Sequence, residues 1–492
     1  RRGARTRTLV QAVVSKAQLS GNSSSSAADP SSGGTYRVIG AVGATGMIVA
    51  SMVGSGIFSL TGRYGASVAT DENVLVAWTI GGILALCGGL SLAELGAMIP
   101  CSGGSVEFAR RAFGKATGYL VAMVTILSGY FLSIAVVALL LAEYVNKLLP
   151  TPIDPHQIAV VVIVAAYVSQ LANLRAGFAV NTVLSILKIG FCAAFVVVGL
   201  LWPVDERLAA PAIDAVGAAN AIATPGMFSA PVASAVLAVS FAYLGWSTGA
   251  DIAGDIRRPG RNVPLAICLS IAIVFLLYIG VNLVYLRVMA PGAMVEPDGS
   301  PMQAIGSVVA TRLFGEPVGH AMSGVIALLF FSTIVAGTIT AARILESMAT
   351  AREIPGWVGV REPNGVPRRA LDITVLASLA ALLIGGLDDI LGLLTVLVNI
   401  FSSLSVAALI VLRRTMPDAT RPFRVPLYPF TPLLYLALAG WSIVASMFEG
   451  GLQAIIGSLA TVAILLATKR LLAPSQADNQ ASNPTNHTNR TP

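Results

Sequence analysis

The stretch Met52-Val53-Gly54-Ser55-Gly56-Ile57-Phe58 sets two glycines around a serine inside an apolar run that extends from Ile39 to Leu60. A second run, Pro231 to Asp251, is interrupted in a similar way by Phe241-Ala242-Tyr243-Leu244-Gly245-Trp246-Ser247-Thr248-Gly249. Glycine favours unwinding of a helix, and in a bilayer irregular backbone survives only where protein buries it or where it lines a cavity. Two interrupted spans, five spans apart, are the pattern of carriers built from inverted repeats, whose half-helix ends meet substrate and ions near the midplane. Close packing through small residues is the competing reading of Gly54 to Gly56. The second interruption, in the corresponding place, weighs against it.

The rest of the chain supplies the membrane. Of its 492 residues 55% are hydrophobic and 11% charged, and the mean hydropathy is +0.79, a composition that fits lipid as the solvent. A spanning helix takes roughly 20 apolar residues, and such runs recur to give an all-α membrane protein of about twelve spans. The first six run from Ile39 to Leu60, Val74 to Ile99, Gly118 to Leu141, Ile158 to Asn173, Ala179 to Trp202 and Pro231 to Asp251. The second six run from Val263 to Tyr285, Gly319 to Ala342, Leu371 to Leu387, Ile390 to Leu412, Pro432 to Phe448 and Leu452 to Ala467.

The 31 Lys and Arg residues test that count, because basic residues gather in cytoplasmic loops. With the N-terminus inside, the outside segments hold Arg63, Lys147, Arg207, Arg287 and Arg312, Lys188 lies within a span, and every other basic residue is inside. One missed span in the middle would destroy this alternation, so both termini are expected in the cytoplasm, in a plasma membrane. The net charge of +7 is dispersed over short loops, which argues against nucleic acid as a partner. Cys87, Cys101, Cys192 and Cys268 fall in spans or at a cytoplasmic edge, so no disulfide-linked partner subunit is expected. Residues 1–36 and 471–492 read as disordered cytoplasmic tails. The first resembles a transit peptide in its basic, Ser-rich composition, yet Ser23 to Ser26 and Ser31 to Gly34 are low-complexity sequence. The acceptor patterns at Asn486 and Asn489 are expected to carry no glycan on the cytoplasmic side.

An unwound segment exposes N–H groups at the positive end of one half-helix and carbonyls at the end of the other. A zwitterion fits between them without any charged side chain, which matters because ionisable groups are costly in lipid. The interruptions therefore locate a candidate binding site that includes Gly54.

Five blocks then resemble the amino acid-polyamine-organocation superfamily of permeases, in its basic amino acid/polyamine antiporter or L-type amino acid transporter-like branch. They are Gly54-Ser55-Gly56-Ile57-Phe58; Glu94-Leu95-Gly96 with Pro100, Ser102-Gly103-Gly104 and Phe113-Gly114; Phe241-Ala242-Tyr243 with Gly245-Trp246, continuing through Arg258-Pro259-Gly260-Arg261-Asn262-Val263-Pro264; Arg343 with Met348-Ala349 and Pro355; and Arg413-Arg414 with Pro417-Asp418 and Arg421-Pro422-Phe423-Arg424. The resemblance covers nearly all of Ile39 to Ala467. It implies two inverted repeats of five helices (37–230 and 231–429), discontinuous helices 1 and 6, and two peripheral helices at 430–470. It implies a secondary active transporter of amino acids, by proton-coupled symport or exchange. It also implies that the substrate carboxylate meets N–H and hydroxyl groups at Ser55 and Gly56, that the ammonium meets carbonyls of Met52, Phe241 and Leu244, and that Phe241 is an aromatic gate. Ser133 and Ser247 either line the side-chain pocket or pack.

Lys188 lies deep in the fifth span and either snorkels to the inner edge or, by the resemblance, takes the place of a coupling sodium ion. Asp251 departs from the family pattern; it pairs with a base, binds a cationic substrate or faces the inner vestibule. Glu94 and the Arg343/Glu346 pair read as anchors. A membrane enzyme would need clustered acid-base groups, but His156, His320 and His487 lie in outside loops or the tail; no metal or cofactor is expected. A channel would show a ring of charges or a filter repeat, which is missing from the sequence. Neutral amino acids are favoured as substrate, because no acid is clearly placed for a cationic side chain, with cationic amino acids or polyamines as the alternative.

Overall fold

The computed structural model describes residues 37–101, 103–172, 174–203, 225–360, 362, 367–449 and 452–472. The side chains of 172–185 and most of both expected tails, with Asn486 and Asn489, lie outside the described set. Described residues form helices and connections, with two isolated β-bridges.

The first predicted span is two helices, α1 (Ala41–Met52) and α2 (Gly56–Val68), bent by 41° to one another. Next come α3 (Asp71–Met98), the short α4 (Gly104–Phe113), α5 (Lys115–Asn146, with a π turn at Leu127–Leu132), α6 (Pro155–Ala172) and α7 (Leu174–Leu201). The sixth span is α8 (Ala230–Ala242) and the four-residue α9 (Thr248–Asp251), joined by turns. Then follow α10 (Pro259–Val288), α11 (Ile305–Phe314), α12 (Glu316–Thr350), α13 (Arg368–Ala381), α14 (Leu387–Thr415), α15 (Phe430–Ser446) and α16 (Leu452–Leu472). Among the described residues α3, α5, α10, α12 and α14 are long and apolar enough to cross a membrane, and the bent pair α1/α2 makes a sixth.

Local chemistry sets these ends. Thr70 accepts a hydrogen bond from the Asn73 N–H at 3.2 Å and starts α3, whose first turn carries Asp71 and Glu72 at the positive end of the helix dipole. Helix α14 has acids first and bases last, Asp388 and Asp389 against Arg413 and Arg414. The ninth predicted span stops early: α13 ends at Ala381, because the Gly385-Gly386 pair that follows terminates regular structure before α14 begins. Its 14 residues reach about 21 Å, short of a ~30 Å hydrocarbon core. Helices α4 and α11 lie in no predicted span.

Those two unpredicted helices end alike. Ala109-Arg110-Arg111-Ala112-Phe113-Gly114 closes α4 and Ala310-Thr311-Arg312-Leu313-Phe314-Gly315 closes α11, with Gly118 and Gly319 four residues on. Gly114 and Gly315 hold nearly the same conformation, φ 94° and ψ 173° against φ 88° and ψ 167°, and each turns the chain straight into a long helix, α5 or α12. Packing repeats as well. Helix α10 lies along α3 and along α1, α8 lies along α3, and α5 packs on α12; exchanging the first five predicted spans for the second five maps α10 on α1 onto α3 on α8 and returns the other two contacts to themselves.

Candidate functional site

Helices α1 and α8 end at the same depth of the bundle, and each break packs into the other. A Cβ on Gly56 would lie 2.5 Å from the Ala242 Cβ, and a Cβ on Gly245 would lie 2.8 Å from the Ser51 carbonyl carbon. Only residues without a side chain allow two backbones so close. Gly245 also sits at φ 118°, where a β-carbon is strained.

The first break is three residues long. Val53 leaves the helical region and α2 restarts at Gly56 with Ser55 as its N-cap. The Ser55 side chain is 2% exposed, makes no capping bond and has no hydrogen-bond partner. A buried hydroxyl without a partner, at the positive end of a helix whose leading N–H groups have no preceding helical carbonyl, is prepared for an anion.

The second break runs over Tyr243 to Ser247 and engages its own polar groups: the Leu244 N–H donates to the Phe241 carbonyl at 3.0 Å and the Thr248 N–H to the Gly245 carbonyl at 3.1 Å. The Asp251 carboxylate accepts from the Ser105 N–H at 2.9 Å and the Ser105 hydroxyl at 2.8 Å, while the Gly103 N–H donates to the Asp251 carbonyl at 2.8 Å. Asp251 thus caps the first turn of α4. Among the described residues no ion pair to a base is formed by Asp251, which is half-buried. The Ser247 hydroxyl also bonds to Asp251. Beyond Asp251, the chain entering α1 is tied to the chain leaving the sixth span: Ile39 N–H donates to the Asp255 carbonyl at 3.1 Å and Arg257 N–H to the Ile39 carbonyl at 2.9 Å.

Of the remaining predicted site residues, Met52 and Phe241 are buried at the breaks, with Gly54 and Leu244 half-buried beside them. Two of the three carbonyls assigned to an ammonium already accept a bond: Phe241 from Leu244, and Met52 from the Tyr278 hydroxyl at 2.8 Å. Each keeps a second lone pair. Ser133 is not joined to either break by a hydrogen bond; it marks the point where the π turn of α5 returns to α geometry. Lys188 does not snorkel. It is 5% exposed and its Nζ donates to Thr333 Oγ1 at 2.9 Å, linking α7 to α12.

The sequence reading missed the helix that holds the first break. On α10, Tyr278, Asn282 and Tyr285 fall at i, i+4 and i+7, one face of a helix. Tyr278 reaches Met52, the Asn282 Oδ1 accepts from the Thr61 hydroxyl at 2.5 Å, and the Tyr285 hydroxyl donates to the Ile57 carbonyl at 3.4 Å. The Trp78 indole N–H donates to Thr61 at 2.9 Å. Three polar groups at helical spacing in an otherwise apolar span were the available signal.

Glu94 is an anchor, as read. Fully buried at the end of α3, it accepts from Arg413 Nε at 2.8 Å and Arg413 Nη2 at 2.5 Å, stands 3.3 Å from Arg421 Nε, and accepts from the Val425 N–H at 2.7 Å. Arg421 in turn donates to the Met416 carbonyl past the end of α14.

Residues 39–468 match the amino acid permease family. Similar curated proteins include the serine/threonine exchanger SteT of Bacillus subtilis, 26% identical over 432 residues that cover 86% of this chain and 95% of that protein. The mouse large neutral amino acids transporter small subunit 2 is 27% identical, over 87% of this chain and 80% of its own. The mouse b(0,+)-type amino acid transporter 1 is 26% identical, over 84% and 83%.

Proposed function

The chain belongs to the amino acid permease family and is a multi-pass membrane transporter of amino acids, and on that premise we propose that it exchanges neutral amino acids by alternating access around the two breaks. The unpartnered Ser55 hydroxyl at the start of α2, set against the carbonyl ends of α1 and α8, carries the reading. A substrate carboxylate would take the Ser55 hydroxyl and the Gly56 N–H at the positive helix end, with Gly54 giving access. The ammonium would take the free lone pairs of the Met52, Phe241 and Leu244 carbonyls, with the Phe241 ring closing over it and Ser133 on the side-chain wall. Ser247 stays with Asp251.

Neutral cargo is supported by the acids near the breaks, which are engaged by protein: Asp251 by Ser105 and Glu94 by arginines. Two of the relatives carry neutral amino acids by name. Cationic amino acids or polyamines remain the second reading, because an aromatic face such as Phe241 also holds cations. Lys188, pinned between α7 and α12, would set coupling to protons or to obligate exchange. In this reading both termini are cytoplasmic, the membrane is the plasma membrane, 37–230 and 231–429 are inverted repeats supported by the matching α4/α5 and α11/α12 corners, no covalent partner is needed, and the protein catalyses no chemistry.

Counterflow of a labelled amino acid panel into proteoliposomes, with and without proton and sodium gradients, tests this. Saturable counterflow of neutral amino acids, insensitive to sodium, is expected. Lys188→Ala should lose it; full activity in that variant would remove Lys188 from the mechanism, and uptake confined to cationic substrates would replace the cargo.

A further inference from the structure

Helices α10 and α15 both pack on α3 and leave a strip of it uncovered. Residues of a helix turn by about 100° each, so Gly82 and Gly89 share one side of α3. That side meets α10: a β-carbon on Gly82 would lie 2.5 Å from the Phe275 ring, and one on Gly89 2.6 Å from Ile271. Gly88 and Glu94 face α15 and the chain leading into it. A β-carbon on Gly88 would lie 2.9 Å from the Tyr435 ring, and Glu94 accepts from the Val425 N–H at 2.7 Å. Ile83, Leu86 and Leu90 fall at i, i+3 and i+7 between those two sides. Ile83 is 37% exposed and Leu86 40%, and Leu265 and Leu269 on the neighbouring α10 are exposed as well. An apolar groove floored by α3 therefore opens to the bilayer.

The end of this groove carries uncompensated positive charge. Arg261 continues the exposed stripe of Leu265 and Leu269 at a spacing of four. Gly260 beside it touches Pro422, whose Cβ would lie 2.6 Å from a β-carbon there, and this contact brings Arg424 to the same end. Arg258, Arg261 and Arg424 are exposed, and among the described residues their side chains make no hydrogen bond or ion pair. Arg413 and Arg421, near in sequence, are taken by Glu94. Residues 256–276 hold three arginines and no acid. Leu427 and Phe430 are 76% and 60% exposed, which sets the chain carrying Arg424 at the edge of the lipid. We propose that the groove is a phospholipid site, with one acyl chain along Ile83, Leu86 and Leu90 and the phosphate of a net negative headgroup between Arg261 and Arg424. A guanidinium fork matches phosphate oxygens, and basic pockets between spanning helices hold such headgroups. A zwitterionic headgroup brings its own cation towards the same arginines and is held less firmly. The site lies outside the two breaks and does not depend on what the protein carries.

Native mass spectrometry of the full chain in detergent tests this, with phosphatidylglycerol or phosphatidylcholine of the same acyl chains added. The wild type should retain phosphatidylglycerol in preference to phosphatidylcholine, and inorganic phosphate at the same concentration should not displace it, because the acyl chain supplies part of the hold. The pair Arg261→Gln and Arg424→Gln together should lower retention of phosphatidylglycerol by about fivefold for each guanidinium removed. Lys115→Gln with Arg352→Gln removes two exposed bases from other connections and should leave retention unchanged. Leu86→Trp keeps every arginine and fills the groove, so it should also lower retention. Equal retention of the two lipids by the wild type, equal losses in the two double variants, displacement by inorganic phosphate, or wild-type retention in Leu86→Trp would overturn the proposal. The first two of these would mean that dispersed surface charge holds the lipid, and the last two that the groove does not.

Discussion

The two breaks look alike in sequence and differ in what their polar groups do. Break one leaves a buried serine hydroxyl and the N-terminus of α2 with nothing to bind. Break two closes its own turn and is tied through Asp251 to the first turn of α4. Glycine in an apolar run therefore marks where a helix stops, and the destination of the freed backbone groups decides whether the stop is a binding site or a tether. On the proposed reading, break one binds and break two anchors.

The largest effect expected from this comparison is at the point where the breaks touch. Gly245→Ala places a β-carbon at φ 118° and 2.8 Å from the Ser51 carbonyl carbon. Strain of ~1–3 kcal/mol adds to overpacking of ~1–3 kcal/mol against backbone that cannot yield. Counterflow should be abolished and the thermal midpoint lowered. A variant with wild-type transport would mean that the breaks do not need to touch.

Both breaks were legible because glycine and serine are conspicuous among Val, Leu and Ala. The long apolar helices were legible for the same reason. Helix α13 was read six residues too long because Leu382, Leu383 and Ile384 continue the apolar run after the helix has ended; hydropathy is blind to the Gly385-Gly386 stop. Helices α4 and α11 are too short and too polar to register as spans, although their shared Phe-Gly ending was on the page. The Asp251 cap joins residues 146 apart in sequence, and the Tyr278 contact with Met52 joins residues 226 apart. No local pattern encodes such a partner, which is why the helix-capping role of Asp251 and the contacts of Tyr278 could not be read from the sequence.

A smaller effect separates the two serines. Ser55→Ala removes a hydroxyl that bonds to nothing in the protein, so stability should hold or rise. If that hydroxyl takes the substrate carboxylate, KM should rise about tenfold, the value of one bond to a charged group. Ser247→Ala should leave KM unchanged, since its hydroxyl faces Asp251. A KM shift in Ser247→Ala alone would reverse the assignment of binding and anchoring breaks. Asp251→Asn probes the tether itself. The amide keeps one oxygen for Ser105 but loses the charge at the helix start, so a cost of about 0.5–1 kcal/mol is expected, read as a lower thermal midpoint with KM unchanged.

The smallest effect is predicted for Gly54→Ala, and it is the most discriminating. Gly54 and Gly56 are two residues apart in the same motif, yet a β-carbon on Gly54 meets nothing nearer than the Met52 carbonyl oxygen at 3.9 Å, whereas one on Gly56 runs into Ala242. If the glycines serve close approach, only Gly56 is needed for room, and Gly54→Ala should transport within about twofold of wild type while Gly56→Ala is inactive. Alanine also favours the helix by about 1 kcal/mol over glycine, which would tend to rewind Val53 to Ser55 and withdraw the N-terminus of α2. Transport rates in the two variants decide between these demands. Equal and severe losses would show that break one works by staying unwound, with the open backbone at Gly54 as necessary as the contact at Gly56; a loss confined to Gly56 would show that the touch between the breaks, and not the slack in either, is what the motif encodes.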